Sequence, residues 1–199
     1  GSDNTALGSD CLSGNTTADN NTAVGKYALR VNTTGGSNVA VGATSLDANT
    51  TGGTNTAIGA AAMSANTTGS GNTSLGFNSL ATNTTASNNT AVGYSALLLN
   101  ATGTANTAVG KDALEANTGD NNTAVGLDAM TANTSGTQGT GIGVGALTAN
   151  TTGNYNSALG YLALGANTTG TENVAVGALA GDANTTGSFN TAVGYIALS

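Results

Sequence analysis

The sequence predicts an all-β fold, a parallel β-solenoid of about twelve 17-residue coils running as one continuous domain over residues 1–199. Three observations predict it. First, the phrase Asn-Thr-Ala-Val-Gly or a close variant begins at Asn4, Asn21, Asn38, Asn55, Asn72, Asn89, Asn106, Asn122, Gly139, Asn156, Asn173 and Asn190, always 17 residues apart except for the 16 between Asn106 and Asn122. A fixed short period decides the architecture before anything else does. Second, branched and unbranched aliphatic residues return at fixed places in every unit. Third, 31 glycines and a wealth of Asn and Thr argue against helix, because these are weak helix formers.

Numbered from the Asn of the phrase, the unit reads N-T-A-V-G-x-x-A-L-x-A-N-T-T-G-x-x. Position 4 is always Val, Leu or Ile, from Leu7 to Val193. Position 9 is Leu or Met in every unit but one, where Gly181 stands and Leu179 two places earlier is expected to fill the gap. Position 5 is glycine in all twelve units, the mark of a positive-φ corner or a close backbone approach. Position 12 is Asn in all eleven full units. Asn suits turns, and stacked amides can bond one another in a ladder.

Positions 2 to 4 alternate as a strand does. Val39 and Val174 stand in for Thr at position 2, so positions 2 and 4 are expected on the core side and the small residue at position 3 on the other. A second short strand is expected over positions 8 to 13, with a turn between units. One such unit cannot bury its apolar residues alone. Stacked in register it can, and a slip of one residue would turn the apolar face outward.

Each coil offers only about two large apolar residues, so association is expected to help. The alanine rows at positions 3 and 8 offer close approach, which predicts a homotrimer with parallel axes. On this assignment Val109→Asp buries a charge in the position-4 column.

Composition excludes several functions. Ten acids against Lys26, Arg30 and Lys111 give a net charge of −7, the wrong sign for a nucleic-acid backbone. No apolar run approaches the roughly 18 residues of a membrane span, and no membrane insertion is expected. With no histidine, Ser-His-Asp and Cys-His catalysis and His-ligated metal sites are out. The chain is expected to be non-enzymatic and without cofactor. Cys11 stands where other units have Ala or Ser, and is expected to be a small packing residue. The acids are scattered; Asp112 and Asp128 share position 7 in successive units and are expected to be solvated surface groups.

The Asn-Thr-Thr blocks match the N-glycosylation sequon, but turn chemistry explains them more simply. Threonine columns at positions 13 and 14, beginning with Thr16 and Thr17, raise an ice-binding reading as a minor alternative. Neighbouring residues of an extended segment point to opposite faces, which weighs against it. Position 6 varies freely and carries the candidate surface-contact residues Tyr94, Tyr161 and Tyr195, which suit stacking on sugars or anchoring a partner.

The Asn-Val-Ala-Val-Gly phrases at Asn38–Gly42 and Asn173–Gly177 resemble the head repeat of trimeric autotransporter adhesins, and the longer phrase with Asn-Thr-Thr-Gly resembles repeats of phage tail-fibre proteins. The resemblance covers essentially the whole chain. It implies a parallel β-roll assembled as a trimer, in the structural shaft or adhesive segment of an extracellular or virion fibre. A bacterial surface adhesin that binds matrix or glycan is the alternative. It implies no catalytic residues, and as partners the chain itself and a host-cell surface glycan or receptor. Gly1-Ser2-Asp3 fits positions 15 to 17 of a preceding unit, so a fragment of a longer fibre is expected.

Overall fold

The computed structural model describes residues 1–199. The chain forms two compact units, Gly1–Thr102 and Gly103–Ser199. Both are parallel β-solenoids. In the first, the strands are β1 (Thr5–Leu7), β2 (Thr22–Val24), β3 (Val39–Val41), β4 (Thr56–Ile58), β5 (Thr73–Leu75) and β6 (Thr90–Val92). In the second they are β7 (Thr107–Val109), β8 (Thr123–Val125), β9 (Thr140–Ile142), β10 (Ser157–Leu159), β11 (Val174–Val176) and β12 (Thr191–Val193). Within each unit every strand pairs in parallel with the next in sequence, like on like: Ala23 lies beside Ala40 and Val24 beside Val41.

The strands are three residues long because position 5 ends them. Its glycines have φ between 127° and 145°, a region that only glycine enters without strain. After this corner, the expected second strand is absent. Positions 7 and 9 are left-handed, as at Tyr27 (φ 62°) and Leu29 (φ 49°), and two left-handed residues in three cannot make an extended strand. The segment is a pair of turns, closed by Ala28 N–H to Gly25 O at 3.3 Å and Asn32 N–H to Leu29 O at 3.4 Å. Neighbouring coils hold it: Tyr27 N–H donates to Ser9 O in the preceding coil and Leu29 N–H to Ser45 O in the following one, both at 3.0 Å. A left-handed leucine costs roughly 1–2 kcal/mol alone; bonds to both neighbouring coils offset it.

The short repeat is absorbed at its corner. Asn117 Nδ2 reaches Gly119 O two residues on at 2.8 Å, where Asn133 reaches Gly136 O three residues on at 2.9 Å. The missing residue is the one at position 14, exposed in the other coils. Strand register resumes with Thr107 beside Thr123.

The faces of the strands are the reverse of the sequence expectation. Position 3 lies inside: Ala23, Ala40, Ala57, Ala108 and Ala124 have no exposed surface. Position 4 points out, half-buried at Val24, Val41 and Val109 and exposed at Ile58 and Leu75. The alanine rows at positions 3 and 8 therefore pack within each coil and are not a contact surface between chains. The reason is width. Leu or Met of position 9 and the amides of positions 1 and 12 already fill the interior, which leaves room opposite for little more than a methyl. In β5 and the turn after it, both small residues are serine, and Ser74 Oγ and Ser79 Oγ bond each other across the interior.

The tightness of this fit shows around Met130, which is longer than the usual leucine. The next coil has Gly139 where others have Asn and Gly141 where others have Ala. A Cβ at Gly139 would lie 2.7 Å from Met130 Cε, and one at Gly141 2.9 Å from its Cγ. Gly141→Ala is expected to destabilise by about 1–3 kcal/mol, the usual cost of overpacking. Met130→Leu should restore most of it, as a coupling energy in a double-mutant cycle of thermal melts.

Gly181 is the opposite case. It keeps the left-handed φ of its column (64°) but supplies no side chain. A cavity of about 240 Å³ opens there, lined in part by Leu164, Gly181, Ala192 and Leu198. Leu179 stands outside it, half-buried, and does not fill the gap. Gly181→Leu is expected to stabilise the unit by about 1 kcal/mol, the balance of roughly 1.5–3 from burying the side chain and 1–2 from its left-handed backbone. A higher denaturation midpoint with an unchanged slope is the expected readout.

Candidate functional site

Two amide columns brace each coil. At position 12, Asn49 Nδ2 donates to Asn32 Oδ1 at 2.9 Å and to Gly52 O of its own turn at 2.9 Å. Asn66 repeats the pair on Asn49 and Gly69, at 2.8 and 3.0 Å. The expected ladder is therefore present. A second column, missed from sequence, runs at position 1. Asn38 Oδ1 accepts from Asn55 N–H at 2.9 Å, and Asn38 Nδ2 crosses the coil to Gly52 O at 2.9 Å. Asn at position 1 in every unit but one, where Gly139 stands, was a signal for it. The threonines of position 13 also work inward: Thr50 Oγ1 donates to Thr67 O and Thr151 Oγ1 to Thr168 O, both at 3.0 Å. They support the stack, whereas Thr51 and Thr152 beside them at position 14 are exposed.

With the interior so occupied, the exposed chemistry lies on the strand face. Positions 2 and 4 present Thr, Ser or Val beside Val, Ile or Leu in every coil, and no charged residue occurs at either position anywhere. Every Lys, Arg, Asp and Glu falls at positions 6, 7, 10, 16 or 17. The aliphatic column is substantially bare, with Leu75 45% and Leu159 50% exposed. Along its edge runs position 6, which is aliphatic at Leu127 and Val144.

Of the candidate contact residues, Tyr94 is exposed and stacks on Phe77 of the preceding coil, ring centroids 5.5 Å apart and planes 20° off parallel. Tyr161 and Tyr195, in the other unit, are 54% and 74% exposed with Ala178 between them in the column. Each lies at the position next to the glycine corner that ends the uncharged strand of its own coil.

The charged groups make no comparable site. Arg30 pairs with Asp47 at 2.9 Å, and Lys26 and Arg30 both lie over the Tyr27 ring, 4.7 and 5.0 Å from its centre. Asp112 pairs with Lys111. No three His, Cys, Asp or Glu side chains group closely enough to hold a metal ion. Cys11 is part-buried, with Sγ 3.0 Å from Ala23 O. Burial raises its thiol pKa, opposed by a backbone hydrogen bond to Leu7, so the reactive thiolate is suppressed. Comparison with protein-family models, with curated proteins and with solved structures finds no match to this chain.

Proposed function

We propose that the chain is a non-enzymatic structural segment of an extracellular or virion-borne fibre, assembled as a parallel homotrimer through the face made by positions 2 and 4. One observation carries the reading: an exposed aliphatic column, free of charge in every coil, on a chain of net charge −7. Copies of such a chain repel one another. They associate most readily where no charge is brought together, and depletion of charge marks the centre of protein interfaces. The identical register of every coil lets a neighbour repeat the same contact at each step. The amide ladders and inter-coil threonine bonds stiffen each unit, which suits a shaft.

Light scattering tests it directly, since the trimer has three times the 18.8 kDa mass of the chain. Val109→Asp, placed on this outward column, should leave the fold of an isolated chain nearly unchanged. Leu159→Asp, on the same column, is expected to dissociate the trimer while keeping a cooperative melt. A monomer before mutation would overturn the assembly. The adhesive alternative rests on the exposed edge residues Tyr94, Tyr161 and Tyr195. A glycan array separates the two, because a pure shaft retains no sugar.

A further inference from the structure

We infer that asparagine-linked glycosylation and folding exclude each other along most of this chain, and that the folded protein accepts a glycan at Asn20, Asn88 and Asn121 but not at its fully buried sequons. The inference is independent of the fibre reading. Fourteen Asn-x-Ser/Thr sequons occur: ten at position 12, Asn72 at position 1, and the Asn-Asn-Thr triplets that start at Asn20, Asn88 and Asn121. The sequence alone cannot rank them.

The structure can. Nine of the fourteen, Asn32, Asn66 and Asn72 among them, have no exposed surface. The chemistry makes their burial decisive. An oligosaccharyltransferase joins the amide nitrogen to C1 of the first sugar. The nitrogen loses one proton, and the C1–O bond to the lipid pyrophosphate donor breaks, releasing the pyrophosphate. At Asn66 that nitrogen uses its two protons toward Asn49 Oδ1 at 2.8 Å and Gly69 O at 3.0 Å. A glycan removes one of them and places a bulky polar group where the next amide, Asn83 Nδ2, lies 2.8 Å from Asn66 Oδ1. The same pair of bonds recurs at Asn150 and Asn167. A chain modified there before its coils close cannot build the ladder. The three triplets differ. Their first Asn is at position 17, on the exposed turn between coils, and only the backbone N–H groups of Asn20, Asn88 and Asn121 enter the stack, on Ser2 O, Ser70 O and Thr104 O. The inference therefore points to synthesis in a compartment where no such enzyme meets the unfolded chain.

The test treats native protein made in a bacterial cytoplasm, and the same protein unfolded in urea and diluted, with a single-subunit oligosaccharyltransferase and its lipid-linked oligosaccharide. Peptide mass spectrometry maps occupancy. Modification of the native protein at Asn20, Asn88 and Asn121, with at least tenfold lower occupancy at Asn66 and Asn150 than in the unfolded chain, is the expected result. Native occupancy at Asn66 or Asn150 equal to that of the unfolded chain would overturn the exclusion. Unmodified Asn20, Asn88 and Asn121 would overturn the assignment of acceptors. A second arm directs the chain through a eukaryotic secretory pathway. The parent should be retained unfolded, and a variant carrying Ala at position 14 in the sequon-bearing coils (T34A, T51A, T68A and their equivalents, with S135A), together with S74A to remove the buried Asn72 sequon, should be secreted. The position-14 side chains are exposed, and alanine is the usual residue at position 3 where Ser74 stands, so the variant made in bacteria should melt close to the parent. Secretion of a folded, fully glycosylated parent would refute the proposal.

Discussion

Gly59→Ala is expected to abolish the cooperative melt of the Gly1–Thr102 unit at any temperature where the parent is folded. Two costs coincide. The backbone there has φ 137°, which an L-residue with a side chain adopts only under strain. The added Cβ would also lie 2.4 Å from Gly76 O and 2.6 Å from Gly76 C. Both are main-chain atoms of the next coil, so no rotamer change relieves the overlap. The coils must separate instead, which breaks the bond from Gly76 N–H to Ile58 O, 2.8 Å long, and the pairing of β4 with β5 that surrounds it. The combined loss is on the order of the whole stability of a small domain, about 5–15 kcal/mol. Ala60→Ser, one residue on at the variable position 6, is the matched control and should melt within a few degrees of the parent. Equal melts for the two variants would show that the glycine corner does not set the coil spacing.

The same corner shows what sequence could and could not reveal. The period, parallel stacking, leucine column, glycine corners and amide ladder at position 12 were legible because each is a property of one position repeated in every unit. The facing of positions 2 to 4 was not. Thr-Ala-Val alternates whichever way it points, and hydrophobicity favours valine inside. Width decides otherwise, and width depends on what lies across the coil, which one position does not report. The informative signal was pairwise. Ser74 and Ser79 change together within one unit, and Gly139 and Gly141 follow Met130, although Met63 is followed by Asn72 and Ser74, and Ser45 stands with Ala40. Both pairs couple position 3 to positions 8 and 9 across the interior. The second strand failed for a related reason: nothing in Ala-Leu-x-Ala-Asn announces left-handed residues at positions 7 and 9, because non-glycine residues rarely adopt that region and here the neighbouring coils impose it. For the surface, the variability of position 6 correctly marked Tyr94, Tyr161 and Tyr195 as exposed, but the uncharged face beside them stayed hidden behind the inverted assignment.

Asn66→Leu is the second large effect, and it separates a hydrogen-bonded interior from an oily one. Leucine keeps the branched four-atom skeleton of asparagine, with bulkier methyls in place of the amide oxygen and nitrogen, and the site is fully buried. A purely apolar account predicts little change or a gain. The ladder predicts a loss. Without the amide, Asn49 Oδ1 loses the donor at 2.8 Å, Gly69 O keeps only the bond from Asn55 Nδ2 at 2.8 Å, and Asn83 Nδ2 keeps only Ala86 O at 3.1 Å. A buried polar group left unpaired costs about 1–3 kcal/mol, so the variant should lose roughly 2–5 kcal/mol, read as a lower denaturation midpoint. Asn66→Asp should be worse at neutral pH. It keeps the shape but sets a buried carboxylate against the Asn49 Oδ1 dipole with no counter-charge. Burial raises the folded-state pKa of that new carboxyl above its unfolded value, so the penalty is fully present above the folded pKa and fades as pH falls through it toward the unfolded value. A deficit for Asn66→Asp that narrows on acidification, beside a pH-independent deficit for Asn66→Leu, is the expected pattern. Wild-type stability in Asn66→Leu would mean that the amide column is a passenger of the repeat and that the alanine and leucine columns hold the coils alone.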